Sequence, residues 1–127
     1  MKTIFLFLFL IVLTAGCESE KDISPAEIWS AGCATFASYE KEYRLSGMCC
    51  KYLVVPKIKI KKDNTFSAAA KLYTYNGSGF EDFSVTLNGR LSEDRKSLDL
   101  NYRINGTTES FALKAGGATA SCYCGCD

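Results

Sequence analysis

Residues 97–114 read Ser-Leu-Asp-Leu-Asn-Tyr-Arg-Ile-Asn-Gly-Thr-Thr-Glu-Ser-Phe-Ala-Leu-Lys. Leu98, Leu100, Tyr102 and Ile104 alternate with Asp99, Asn101 and Arg103, and after the interruption Phe111 and Leu113 alternate with Ser110, Ala112 and Lys114. Successive side chains of a strand point to opposite faces, so this period of two puts one face in a core and the other in water. Asn105-Gly106 lies between the two runs, and Asn-Gly supplies the two positive φ angles that a tight type I′ hairpin turn needs. The stretch therefore predicts an antiparallel hairpin with one wet face.

The same period extends toward the N-terminus. Phe66, Ala68, Ala70 and Leu72 share a face, as do Phe83, Val85 and Leu87. Val54, Pro56, Ile58 and Ile60 are expected to share another, opposite Val55, Lys57, Lys59 and Lys61. Pro56 has no N–H to give to a ladder, which assigns its strand to an edge or a bulge. Turn residues punctuate the runs at Lys62-Asp63-Asn64, Asn76-Gly77-Ser78-Gly79 and Ser92-Glu93-Asp94. Short alternating strands joined by short turns predict a mainly β domain, an antiparallel meander of about six to eight strands forming a barrel or a sandwich. One short helix is expected ahead of it, because Ser24-Pro25-Ala26-Glu27 has the form of a capping box and would carry Trp29 into the core, with Gly32 ending it.

The chain opens Met-Lys-Thr and continues with an unbroken apolar run over Ile4–Leu13, ending in Thr14-Ala15-Gly16-Cys17. The run is too short to cross a bilayer as a helix and has the length of a signal-peptide core. The Thr14-Ala15-Gly16-Cys17 sequence resembles the lipobox of bacterial lipoproteins, with Leu13 one place earlier than its commonest position. The resemblance covers residues 1–17. It implies lipid attachment to the Cys17 sulfur, acylation including palmitate, and cleavage before Cys17, so that residues 1–16 are a signal peptide. Two or more acyl chains on one residue give stable membrane anchoring. Residues 17–23 then form a polar acidic tether, similar to the stretch that sends some bacterial lipoproteins to the surface of the outer membrane. This implies a cell-envelope protein at the outer membrane, on its surface or its periplasmic face. Residues 24–127 form one β domain. In strand pattern that domain resembles the small lipocalin-like domains found among bacterial lipoproteins, although the Gly-x-Trp signature of that family is missing: Trp29 is followed by Ser30-Ala31-Gly32.

Compartment decides how the cysteines are read. Of seven, Cys17 is assigned to lipid, leaving Cys33, Cys49, Cys50, Cys122, Cys124 and Cys126. An even number in an exported chain favours disulfides. In an extended tail Cys122, Cys124 and Cys126 lie ~6.5–7 Å apart, at the limit for bridging one another. Adjacent Cys49 and Cys50 would form a strained ring. The expected solution pairs the three N-terminal cysteines with the three C-terminal ones, with a bulge or turn at Gly47–Cys50 or at Gly125 to bring both Cys49 and Cys50 to the tail. The alternative reading makes Cys-x-Cys-x-Cys a thiolate metal site or an exposed redox pair. It lacks the Cys-x₂-Cys knuckle of structural zinc.

Other chemistry is sparse. The sequence has no histidine, which removes the commonest general base and metal ligand. No glycine-rich phosphate loop occurs. The carboxylate pairs Glu81-Asp82 and Glu93-Asp94 fall at turns and read as solvated turn residues. Removal of Lys2 with the signal leaves 14 basic against 14 acidic residues, with no basic excess to attract nucleic acid. The expectation is a non-enzymatic protein without cofactor or metal, held to the membrane by lipid and binding a ligand or a partner protein. Among the aromatic residues Tyr39, Tyr43, Tyr52, Tyr73, Tyr75, Phe80 and Tyr123, the pair Tyr73 and Tyr75 lies opposite Phe66 and Leu72 and is the candidate contact surface. Lysines 57, 59, 61 and 62 read as edge protection.

Overall fold

A computed structural model describes residues 28–56 and 58–126. Among the described residues eight strands run β1 (Ile28–Ala31), β2 (Ala34–Tyr39), β3 (Glu42–Met48), β4 (Lys51–Val55), β5 (Thr65–Tyr75), β6 (Phe80–Leu91), β7 (Ser97–Ile104) and β8 (Thr107–Ala115). Each pairs antiparallel with the next, and β1 pairs with β8 to close an up-and-down barrel. No helix occurs among the described residues.

The opening hairpin forms with Ile104 opposite Thr107. Asn105 and Gly106 both take positive φ, 50° and 77°, as a type I′ turn requires. Alternation is borne out along β5, β7 and β8. Phe66, Ala70, Leu72, Leu98, Leu100, Tyr102 and Leu113 are buried, and Ala68, Ile104 and Phe111 are half-buried against them. Trp29, Phe36, Leu45, Leu53, Val55, Leu87 and Leu91 complete a core that fills the barrel.

Two sequence expectations fail locally. The inward residues of β4 are Leu53 and Val55 rather than Val54 and Pro56. Proline ends the strand, and Ile58 reaches the core from the following loop, where Lys59, Lys61 and Lys62 also lie. The alternation of Ile58 and Ile60 continues across Pro56 in the sequence, but the ladder does not, because proline gives no donor and breaks the phase. Lys57 lies outside the described residues. The capping box Ser24–Glu27 does too, but Trp29 sits in β1, opposite Phe36, and Gly32 forms the β1–β2 turn with φ 58°. Trp29 therefore enters the core from a strand.

Close packing fixes one glycine inside the wall. Gly89 on β6 lies opposite Phe66 on β5, and the Phe66 ring occupies the space a Cβ at Gly89 would need. Gly89→Ala must displace a buried ring, so we expect it to cost about 1–3 kcal/mol. A fall in the guanidinium midpoint with an unchanged slope checks this.

Candidate binding surface

The topology sorts the turns into two ends. The β1–β2, β3–β4, β5–β6 and β7–β8 connections share one end. The three C-terminal cysteines cross it, because Cys33 pairs with Cys122, Cys49 with Cys124 and Cys50 with Cys126. The Cα separations are 5.7, 5.2 and 5.4 Å, within the usual range for bridged residues. Adjacent Cys49 and Cys50 both reach the tail because they form the β3–β4 turn, with Cys50 at φ 59°. The register also shifts between Leu45 and Met48. Gly47 permits the close approach there: its φ is 79°, and a Cβ would fall on the Cys33 carbonyl. All six cysteines are thus consumed in pairs. Cys17 lies outside the described residues.

At this end a half-buried polar group spans the barrel mouth. Lys51 Nζ donates to Glu109 Oε1 at 2.6 Å, and Tyr102 OH donates to Glu109 Oε2 at 2.6 Å. Burial alone would raise the Glu109 pKa, but the hydrogen bonds from Lys51 and Tyr102 and the Lys51 charge outweigh it and hold it below the ordinary carboxylate value. Burial, and then Glu109, push the Tyr102 phenol well above its ordinary range. These side chains tie β4, β7 and β8 together across the mouth. The sign follows from the lowered carboxyl. Its stabilising contribution is complete above the unfolded value of roughly 4.3 and is lost as the pH falls through the lower folded value. Glu109→Gln is therefore expected to flatten the acid limb of a stability–pH curve, and parallel limbs for the two proteins would contradict this.

The outer wall carries the aromatic residues. Tyr73 stacks on its cross-strand neighbour Tyr52, with centroids 4.8 Å apart and planes 13° apart. The Arg44 guanidinium lies 5.2 Å from the Tyr52 ring centroid and 4.3 Å from that of Tyr39. Phe80 meets Tyr52 edge-on at 5.3 Å and Tyr75 at 5.6 Å. A ladder thus crosses five strands, from Tyr39 on β2 through Arg44, Tyr52 and Tyr73 to Phe80 on β6. Both ends are 53% exposed. Ring pairs of this kind contribute about 0.5–1.5 kcal/mol beyond area burial, and a half-buried guanidinium over a ring, as Arg44 is here, about 0.5–2 kcal/mol. The ladder is therefore assembled before any partner arrives.

The structure brings both candidate tyrosines, Tyr73 and Tyr75, into this surface. Sequence reasoning missed Arg44 and left Tyr39, Tyr52 and Phe80 unassigned, because only the strand register reveals that they adjoin. Tyr43 points inward onto Phe36, and Tyr123 stands exposed on the tail. The carboxylates at turns do turn work: Asp63 accepts from Thr65, and Asp94 accepts from Ser92 Oγ and the Lys96 amide. Glu81 accepts from Asn76, and Asp82 pairs with Lys71 at 3.0 Å.

No protein-family model matches the chain, and neither a curated protein nor a solved structure matches it.

Proposed function

We propose that the protein is a lipid-anchored cell-envelope protein, non-enzymatic, whose disulfide-stapled β domain works by contact with a partner protein through its outer wall. The observation that carries this is the preassembled ladder of Tyr39, Arg44, Tyr52, Tyr73 and Phe80 on a barrel whose interior is occupied by its own side chains. A lipocalin-like domain that enclosed a ligand would need interior space, and here Trp29, Phe36, Leu53, Leu72, Leu100 and Tyr102 fill it. Tyrosine and arginine are the residue types that dominate protein contacts, since they offer large amphipathic area at low entropic cost. The lipobox-like Thr14-Ala15-Gly16-Cys17 supports a lipid-anchored position in the envelope, and the acidic stretch after it supports the outer membrane.

Two experiments test the reading. Cys17→Ser is expected to abolish incorporation of labelled palmitate and to release the protein from the membrane fraction, and a variant that still takes up label would remove the anchor. A photo-crosslinking residue at Tyr39 or Phe80 is expected to give a discrete adduct in intact cells, with none from Glu93 in the β6–β7 turn, outside the ladder. Equal labelling from all three positions would remove the contact surface.

A further inference from the structure

The barrel wall is not paired along its whole length. β6 pairs with β5 along its length, from Tyr75 opposite Phe80 to Thr65 opposite Arg90. On its other side β7 covers only Asn88–Leu91. β7 continues to Ile104, but its remaining pairs are all with β8. The β5–β6 and β7–β8 arms therefore diverge like a fork beyond Asn88 and Asn101. Among the described residues, Phe80–Leu87 have no strand partner on that side.

The side chains report the same opening. Phe83 faces inward by register, and its partner Leu72 is 1% exposed, yet Phe83 is 37% exposed. Val85 is half-buried at the edge of the core. A cleft of about 620 Å³ lies between the arms, with Ser84, Val85 and Thr86 on one side and Arg103 and Thr108 on the other. Arg103 has no ion-pair or hydrogen-bond partner among the described residues.

Open strand edges invite pairing, and proteins commonly blunt them with charge, proline or a bulge. Residues 83–87, Phe-Ser-Val-Thr-Leu, carry none of these. The nearest charge on the strand, Asp82, is engaged by Lys71 on the β5 side.

We propose that the open edge of β6 receives one extended peptide segment of a partner protein by strand addition, and that Arg103 selects a segment with an acidic residue on its outward face. This deepens the outer-wall reading and rests on it. Another extended backbone can satisfy a whole row of strand N–H and C=O groups in register, which water does only one group at a time. The second arm of the fork lines the same cleft, so the occupant is a single chain rather than the wall of a second barrel. Alternate side chains of an added strand face opposite ways. Its inward set meets Phe83 and Val85 and should be apolar. Its outward set meets Ser84, Thr86 and the uncompensated Arg103, which calls for hydroxyl and carboxylate groups. The added strand would also extend the wall beside Phe80, the exposed end of the aromatic ladder.

The test uses the exported protein in detergent and two fluorescein-labelled heptapeptides, Thr-Val-Asp-Val-Asp-Val-Thr and the same peptide with lysine at both aspartates. Anisotropy is expected to show the aspartate peptide bound about tenfold or more tightly, with the preference reversed in Arg103→Glu. Hydrogen exchange is expected to slow at the amides of residues 80–87 when the peptide is bound. Equal affinity for the two peptides, no binding of either at millimolar concentration, or protection elsewhere in the barrel would overturn the proposal. Ladder crosslinks that persist without protection of β6 remove strand addition alone. Protection of β6 without ladder crosslinks removes the outer-wall contact and leaves the strand-addition site standing.

Discussion

Replacing Cys33 and Cys122 together by alanine is expected to cost about 3 kcal/mol, and opening all three disulfides well over 4 kcal/mol. The bonds are unequal because their loops overlap, so that each later bond closes only the part the others leave open. Any one of them in isolation closes a loop spanning 75 to 89 residues, worth about 4–5 kcal/mol of unfolded-chain entropy. Once Cys49–Cys124 exists, Cys33–Cys122 closes only the ring made by residues 33–49 and 122–124, about 20 residues and roughly 3 kcal/mol. Cys50–Cys126 closes a smaller ring still and adds about 2 kcal/mol or less. Cys49–Cys124 closes this same small ring when Cys50–Cys126 is present, so losing either of these two pairs should be milder than losing Cys33–Cys122. Guanidinium unfolding of the three double-alanine variants, under oxidising conditions, reads the order directly. A Cys50/Cys126 variant weaker than the Cys33/Cys122 variant would contradict this overlapping-loop account. Free-thiol titration of the native exported protein should find close to none. Six thiols that take up zinc or Cu(I) would favour the metal-binding alternative.

The division between an N-terminal and a C-terminal set of cysteines was legible in the sequence, because an extended Cys-x-Cys-x-Cys tail cannot easily bridge itself. The connectivity was not, because it depends on where three turns meet at one end of the barrel. The same boundary runs through the rest of the molecule. Phe66, Leu72, Leu98, Leu100, Tyr102 and Leu113 could be assigned to the core from local alternation alone, since a period of two is a property of one strand. Residues 54–61 misled because Ile58 and Ile60 keep the alternation going after Pro56 has ended the ladder. Trp29 misled because Ser24–Glu27 are written as a helix start, while the residue itself is claimed by pairing with Phe36 and Ala115. Tyr73 and Tyr75 were recognisable as outward aromatics. That Tyr52 stacks on Tyr73, or that Arg44 lies between two tyrosines, follows only from register across four strands. The divergence of β6 from β7 is likewise invisible locally: Phe83, Val85 and Leu87 alternate as one strand, and nothing in them states how much of it a neighbour covers.

Trp29→Ala is expected to lose about 3–5 kcal/mol, and the loss should fall first on barrel closure. Trp29 is 1% exposed and belongs to the shortest strand. The β1–β8 seam consists of two residue pairs, Trp29 with Ala115 and Ser30 with Lys114. It is supplemented by Gly116 N–H donating to the Ile28 carbonyl at 2.9 Å and Ser30 Oγ donating to the Gly116 carbonyl at 2.7 Å. Compare β5 and β6, which share eleven pairs. With so few backbone bonds, the buried indole supplies most of what holds β1 against β8. Its N–H has no hydrogen-bond partner among the described residues, so Trp29→Phe gives up volume rather than a hydrogen bond and should cost clearly less than Trp29→Ala. Hydrogen exchange separates a loosened seam from general destabilisation. In Trp29→Ala the amides of Ala115 and Gly116 should exchange faster by a larger factor than those of the β5–β6 ladder. Uniform acceleration would instead mean that the seam has no separate opening. Cys33 sits in the turn directly after β1, so its bond to Cys122 restrains the same strand from the other end. Removing both restraints should therefore be worse than the sum of the single losses, and strict additivity would show that the strap and the tryptophan stabilise the barrel independently.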